Sequence, residues 1–502
     1  MDRPTTILWL RRDLRLHDHP ALVAAVDAAR TGGGALLPIF IWEPGLYSGA
    51  RSSGNRTWFV RESLAELRSE LQSRGSTLLE LRGPALVALP RLVEELRAGG
   101  NRAVDIFATR DHTPYARGRD QSVAEAIAAL GGTLHLKRGL LVVEPDELLT
   151  GGGTPYGVYT PYFRRWLERV SQAIGAPLAA PKELPPPPSP LPAATVDRAA
   201  VEAAALPTAQ RELLPLPGER AARVVAATWT SAAKGAGASG YADRRNTLAD
   251  EQGTSRLSAA LHLGLLSPRE LVARLLPLPP ERNGERSGPR LWVSQIAWRD
   301  FYAQVLWHAP HAARSSWRPA YDAIAWDDRD EPFDAWREGR TGFPIVDAAM
   351  RQLLRSGFMH NRARMITASF LTKDLLIDWR KGEAHFMRHL VDGDVANNNG
   401  GWQWSAGSGT DAQPYFRIFN PVTQAGNFDP DGAYVRRWVP ELAALSAPAI
   451  HAPWAHPSAL AAAGIVLGTH YPAPIVDHAE ARARTLAEYA RAVKGLPEPR
   501  GE

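Results

Sequence analysis

Residues 5–145 alternate short apolar or β-branched runs with longer helical patterns, and this alternation constrains the fold more than any other feature of the chain. TILWLRR, ALLPIFIW, TLLELRG, AVDIFAT and TLHLKRG have strand length and strand composition. Between them, HPALVAAVDAAR, NRTWFVRESLAELRSELQSRG, PALVALPRLVEELRAGG and GRDQSVAEAIAALGG repeat apolar residues at helical spacing. Five strands separated by helices predict a parallel, doubly wound sheet with helices on both faces, because parallel neighbours need a covering crossover. The first strand–helix turn, RRDLRLHDHP, contains no glycine. A dinucleotide fingerprint needs glycine there for close approach to pyrophosphate, so nicotinamide-dinucleotide binding is not expected. TGGG at 31–34 follows a helical segment and reads as a C-cap and loop.

Past residue 145 the pattern changes. Around 175–220 the chain is proline-rich (PLAAPKELPPPPSPLPAA, then LPLPGE), which predicts a stiff, extended connection. Beyond it, helical patterns dominate and strand patterns almost vanish. The expected organisation is an α/β domain over 1–145, a linker over 146–225 and an all-helical domain over 226–502. Twelve of the 16 tryptophans fall in the last part. There are 0 cysteines, which excludes disulfides, zinc–thiolate sites, iron–sulfur clusters and a cysteine nucleophile. No apolar run reaches the ~18–20 residues that span a bilayer, and MDRPTTILWLRRDLRLHD lacks a cleavable signal pattern, so a cytoplasmic protein is expected. A net charge of +5 permits a nucleic-acid partner without requiring one.

Four stretches of the helical part carry residue types suited to a flat, polar ligand. EQGTSRLSAALHLG (251–264) puts Gly-Thr-Ser at the start of a helix, where backbone N–H groups and hydroxyls suit an anion. An ordinary cap by Thr254 or Ser255 accounts for it equally. In WVSQIAWRDFYAQVLWHAP (292–310), Trp292, Gln295, Arg299 and Tyr302 share one helical face, with Trp298 beside it. An amphipathic helix with a snorkelling arginine is the alternative. Asn361, Arg364, Met365 and Ala368 share a face after Gly357, as a ligand wall or as a helix interface with one buried ion pair. His360, His385 and His389 have no metal-ligand arrangement and are expected to be structural. The densest stretch is DGDVANNNGGWQW (392–404). Its asparagines can donate and accept without charge, and Gly400 and Gly401 permit close backbone approach. A capped loop with core-filling indoles explains each feature singly but the combination poorly.

Taken together, LWLRRDLRLHDHPAL, EQGTSRLSAALHLGLLSPRE, WRDFY, TGFPIVDAAMRQL, MHNRARMITASFLTKDLLIDWR and DGDVANNNGGWQW resemble the photolyase/cryptochrome flavoproteins over nearly the whole chain. The resemblance implies an antenna-type α/β domain and a helical domain holding FAD non-covalently and in its reduced form. Matched by motif, Tyr241, Thr254, Ser255, Arg256, Leu257 and Ser258 would hold the cofactor, the last five around its diphosphate. Trp292, Gln295, Arg299, Asn361, Arg364, Asp392 and Asp394 would line the remainder, Asn398 would face the flavin N5, and Asp392 would pair with Arg364. Trp402, Trp379 and Trp326 match the three-tryptophan chain that photoreduces the flavin. Trp298 and Trp404 would wall a flipped-out lesion, with Gln295 and Asn361 near it and Arg245, Arg299, Arg362 and Met365 at the DNA-side opening. The versions MHNRARM and ANNNGGWQW are most like class I cyclobutane pyrimidine dimer photolyases; the His pairs of the (6-4) enzymes are absent.

The implied reaction is light-driven splitting of pyrimidine dimers in damaged DNA, by a monomer that needs no metal and no membrane. Two positions depart from the pattern: Gln295 stands where many dimer photolyases have Glu, and Phe358 where Trp is frequent. A Gln keeps an acceptor but cannot ionise, so repair could be slower or lesion preference shifted. The alternative is a cryptochrome-like blue-light receptor without repair. Receptors often add a C-terminal tail, whereas this sequence ends at VKGLPEPRGE soon after its last helical pattern, which favours the enzyme. A second, antenna chromophore is expected without a named site: methenyltetrahydrofolate, deazaflavin and FMN each suit the family. Asn397 and Asn399 have no role by resemblance.

Overall fold

Strand β1 (Arg3–Leu10) is the centre of the α/β part. It is flanked by β2 (Ala35–Trp42) on one side and β4 (Asn101–Thr109) on the other. With β3 (Leu79–Arg82) and β5 (Thr133–Lys137) at the edges, the order is β3-β2-β1-β4-β5, and every pairing is parallel. The computed structural model describes residues 3–49, 52–192, 208–280, 287–411, 414–492 and 494. The end of the proline-rich stretch, from Ala193, and nearly all of the tail VKGLPEPRGE lie outside them.

The inner part of the sheet is covered on both faces, which is why β2 is buried along its whole length while edge strand β5 is not. Successive side chains point to opposite sides. Ile7 and Trp9 therefore pack with Leu89, Leu92 and Val93 of the helix Ala85–Ala98. Leu8 and Leu10 pack with Leu22 and Val26 of the helix Pro20–Thr31 and with Phe59 and Leu64 of the helix Gly54–Gln72. The expected doubly wound sheet is the observed one.

The strand order reverses beside β1, and in such sheets the crevice at the C-terminal ends of the flanking strands is the binding position. Here that crevice is filled by the chain itself. The loop after β1 docks on the helical part through Leu14 N to Leu263 O (3.2 Å) and Arg15 to Gly264 O (2.9 Å). Gly264 (φ +61°) allows this approach, since a Cβ there would lie 2.1 Å from Arg12 O.

Between the two parts the chain is not all extended. Residues Tyr159–Ala173 form a helix burying Tyr159, Tyr162, Phe163, Trp166 and Val170, an apolar stripe at helical spacing. It packs on the long helix Gly288–His308, where Trp166 Nε1 donates to buried Asp300 (2.9 Å). A further helix, Glu219–Ser231, starts before residue 226. From there to the helix His478–Ala492, the described residues contain only isolated bridges and no named strand. A second core of Trp336, Trp379, Trp402, Tyr434 and Trp438 fills this part.

Candidate active site

The stretch 392–404 folds as a turn followed by the helix Val395–Ala406, which Asp394 caps by accepting from Asn397 N (3.0 Å). The three asparagines point different ways. Asn397 donates its amide to Asp394 Oδ1 (2.8 Å) and so fixes that carboxylate. Asn399 is buried and accepts from Gln403 Nε2 (3.0 Å), whose amide also reaches Ala312 O (2.9 Å). Both roles are structural, and both are local pairings at helical spacing. Asn398 donates to Glu383 O (3.0 Å), which leaves its carbonyl oxygen as an acceptor.

Asp394, Asn398 and Gly401 follow one another at i, i+4 and i+7 and therefore share a face. A Cβ on Gly401 would meet nothing within 4 Å, whereas one on Gly400 would lie 2.2 Å from the Tyr302 ring. One glycine seats the helix against Gly288–His308, and the other opens its free face.

In the Arg364–Asp392 pair one guanidinium nitrogen, Nη2, donates to both carboxylate oxygens (2.8 and 3.1 Å), and the carboxylate is buried. Phe358 is stacked between cations, Arg256 at 4.9 Å and Arg364 at 5.5 Å from its ring. Arg256 adopts φ +51°, an uncommon conformation for a side-chain-bearing residue. The N-cap of the short helix Ser258–His262 is Leu257, whose side chain makes no cap hydrogen bond. Just ahead of it, Ser255 Oγ accepts from Leu257 N (3.5 Å) and from the indole of buried Trp292 (3.3 Å). Thr254, Ser255, Arg256 and Leu257 line a cavity of about 830 Å³, together with Trp229, Ala260, Phe358 and His360. That is ample for a dinucleotide-sized ligand.

On the helix Gly288–His308, Gln295 Nε2 donates to Leu291 O (3.3 Å) and Ser294 Oγ (3.2 Å), leaving its oxygen as the free group. Trp298 is stacked on Tyr159 at 3.7 Å, so the linker helix covers one indole face. Arg299 was expected at the cofactor and at DNA. Its guanidinium is instead bonded to Leu140 O and to Leu261 O (3.3 Å), and burial lowers its pKa. It lines a small cavity of about 20 Å³ with Arg12, Asp111, His112 and Asp394. This location puts Arg299 beside the aspartates of the smaller cavity.

Arg244 and His360 line the larger cavity; Arg245 and exposed Asn361 are their neighbours in sequence, with Arg362 and Met365 following on the same helix as Asn361. Arg362 bonds Asn246 Oδ1 (2.8 Å) and lies 4.4 Å over Phe428, while Arg245 lies 5.7 Å over Tyr241. Met365 Sδ is 3.8 Å from the Asn361 amide. Trp404 is half-buried one turn beyond Gly401. His360 caps the helix Asn361–Ser369 by accepting from Arg362 N (3.1 Å), and burial pushes its pKa down to about 4. The His385 and His389 rings meet at 4.6 Å, tilted by 50°. Among the described residues no group of three or more potential ligands could hold a metal.

Trp402 and Trp379 are buried and Trp326 is half-buried, a progression from core toward solvent. Gly382 makes room for Trp402, since a Cβ there would lie 2.2 Å from the indole. Sequence reasoning missed two residues of the other domain that reach this site, Arg12 and Arg56. The only signal was their place in segments that follow the central strands.

Fold and site together define a class: a parallel α/β layer docked on a helical body whose deep, aromatic-walled pocket suits a dinucleotide. A family model described as DNA photolyase matches residues 6–187, and one described as the FAD binding domain of DNA photolyase matches 292–491. Deoxyribodipyrimidine photo-lyase of Escherichia coli is 38% identical over 98% of this chain and 99% of its own. A class III photolyase structure from Agrobacterium tumefaciens superposes with a TM-score of 0.87 at 38% identity, covering 98% of both chains. A cryptochrome from Synechocystis superposes with a TM-score of 0.86 at 28% identity, covering 97% of this chain and 99% of that one. The chain belongs to the DNA photolyase family. FAD fits the residues present: Thr254, Ser255, Arg256 and Leu257 line a cavity of dinucleotide size, and the helices that carry Arg364 and Gly401 pack on each other.

Proposed function

We propose that this protein is a light-driven repair enzyme that splits cyclobutane pyrimidine dimers in DNA, working as a cytoplasmic monomer. Bound FAD would supply light absorption and the transferable electron. The chain's residues bind and orient it. Ser255 and the amides leading into Ser258–His262 take the diphosphate, and the Arg364–Asp392 pair and Asp394 hold the polar edge. Asn398 offers an acceptor carbonyl, which suits a protonated flavin nitrogen and so favours the reduced cofactor. The observation that carries the reading is the cavity: its lining joins Thr254, Ser255 and Arg256 to the cations Arg244 and Arg437. Arg245 and Arg362 would hold DNA phosphates, and the half-buried indoles Trp298 and Trp404 would stack on an extruded pyrimidine dimer.

Gln295 would offer the lesion an amide oxygen, not a carboxylate, its Nε2 being bonded to Leu291 O and Ser294 Oγ. The class III label of the Agrobacterium relative differs from the class I pattern that the motifs resemble, so the substrate reading rests on the pocket and not on class. No helix among the described residues is long and apolar enough to cross a membrane. Photoreduced, FAD-loaded protein is incubated with an oligonucleotide holding one dimer, in blue light and in darkness. Thymines should be restored in the light alone; a protein that binds FAD yet restores none is the photoreceptor alternative.

A further inference from the structure

The Asp392-Gly393-Asp394 turn belongs to the helical part, yet residues of the α/β domain grip it from two sides. Arg12, in the loop after β1, donates to Asp394 Oδ2 at 2.5 Å and to His262 O at 3.2 Å, and lies 3.6 Å from Asp111. From the helix Gly54–Gln72, Arg56 donates to Met387 O and to Leu390 O (2.9 Å), and Asn55 donates to His389 O (2.6 Å). A Cβ on Gly393 would lie 2.4 Å from the Arg56 guanidinium, so the turn is folded directly onto that side chain. Arg12 and Asp394 are both mostly buried, with side chains 20% and 12% exposed. Charges this sheltered interact strongly.

We infer that Arg12, from the α/β domain, is a positioning residue of the cofactor site: it fixes the orientation and charge of Asp394. The inference rests on Asp394 facing bound FAD. It makes cofactor affinity and potential properties of the seam between domains, and it gives the α/β domain a task other than holding a chromophore. Asp394 also receives Asn397 and lies 3.5 Å from His262 Nδ1, so removing Arg12 leaves the carboxylate held but undercompensated. Uncompensated negative charge beside the cofactor disfavours the anionic reduced state, so the potential should move negative.

The test compares Arg12→Gln, Arg12→Lys, Asp394→Asn and the Gln/Asn double variant with wild type, reading FAD dissociation constant and flavin midpoint potential. Arg12→Gln should bind FAD about tenfold more weakly, the loss of one charged hydrogen bond, with a more negative potential. Arg12→Lys should keep the wild-type potential, and it remains informative if the glutamine variant does not fold. In the Asp394→Asn background, Arg12→Gln should add almost nothing, because the two residues act through one interaction. A wild-type potential in Arg12→Gln, a lysine variant shifted as far as Arg12→Gln, or full additivity in the double variant would each overturn the inference. Failure of the wild type to retain FAD would instead sink the proposed function.

Discussion

Gln295 is the residue on which lesion chemistry most depends. Its amide nitrogen is occupied by Leu291 O and Ser294 Oγ, so only its oxygen can meet a ligand. As an acceptor toward a dimer it is worth about one hydrogen bond, ~1 kcal/mol. Gln295→Ala should therefore slow repair by roughly fivefold with FAD content unchanged. Gln295→Glu should repair at least as fast as wild type. Measuring dimer loss per absorbed photon decides this, and an alanine variant at wild-type rate would remove Gln295 from the mechanism. The Arg364–Asp392 pair expected from the family resemblance is the one observed. The sequence could not assign Asn397 and Asn399, because their partners, Asp394 and Gln403, compete with any ligand for the same amides. Nor did it show Phe358 stacked between two arginines, since that contact joins segments about a hundred residues apart.

At the scale of the element, the helix Val395–Ala406 separates packing from binding through adjacent glycines. A Cβ at 400 would enter the Tyr302 ring, so Gly400→Ala should destabilise the protein by about 1–3 kcal/mol. Gly401→Ala should leave the apoprotein as stable or slightly more so, by up to about 1 kcal/mol, while weakening FAD binding. Thermal melts of the apoproteins alongside FAD titrations check both; equal destabilisation would refute the open face. Periodicity made the sheet and its four covering helices legible because each buried face repeats locally. The helix Tyr159–Ala173 was not read because the proline-rich composition after it dominated the linker. Its Tyr159 stacks on Trp298, a contact that no local pattern encodes.

At the scale of the whole molecule, the seam between domains is the least legible feature, since Arg12 and Asp394 are far apart in sequence and meet only on folding. The seam also holds Glu144, buried beside His112 (3.4 Å) and Arg110 (3.6 Å). Burial raises the Glu144 pKa from 4.5 to about 7, against the pull of Arg110 and Arg138. His112 stays neutral, its pKa pushed down to about 3 by burial. Between those limits the folded chain keeps Glu144 protonated while the unfolded chain ionises it. The associated stability is complete below about pH 4.5 and is lost as pH rises through about 7. Glu144→Gln should therefore stabilise the protein at pH 8, by on the order of 3 kcal/mol, and make no difference near pH 4.5. Denaturant melts at the two pH values check this, and a pH-independent effect would contradict it.

The central claim is that this fold lends an electron to a dimer and recovers it. A single blue flash on the reduced, FAD-loaded protein bound to dimer-containing DNA tests it directly, with thymine recovery and the flavin spectrum followed together. The account predicts that thymines appear and the flavin returns to its starting spectrum, with no net oxidation. Intact dimers after the flash, or splitting that leaves the flavin permanently oxidised, would contradict it.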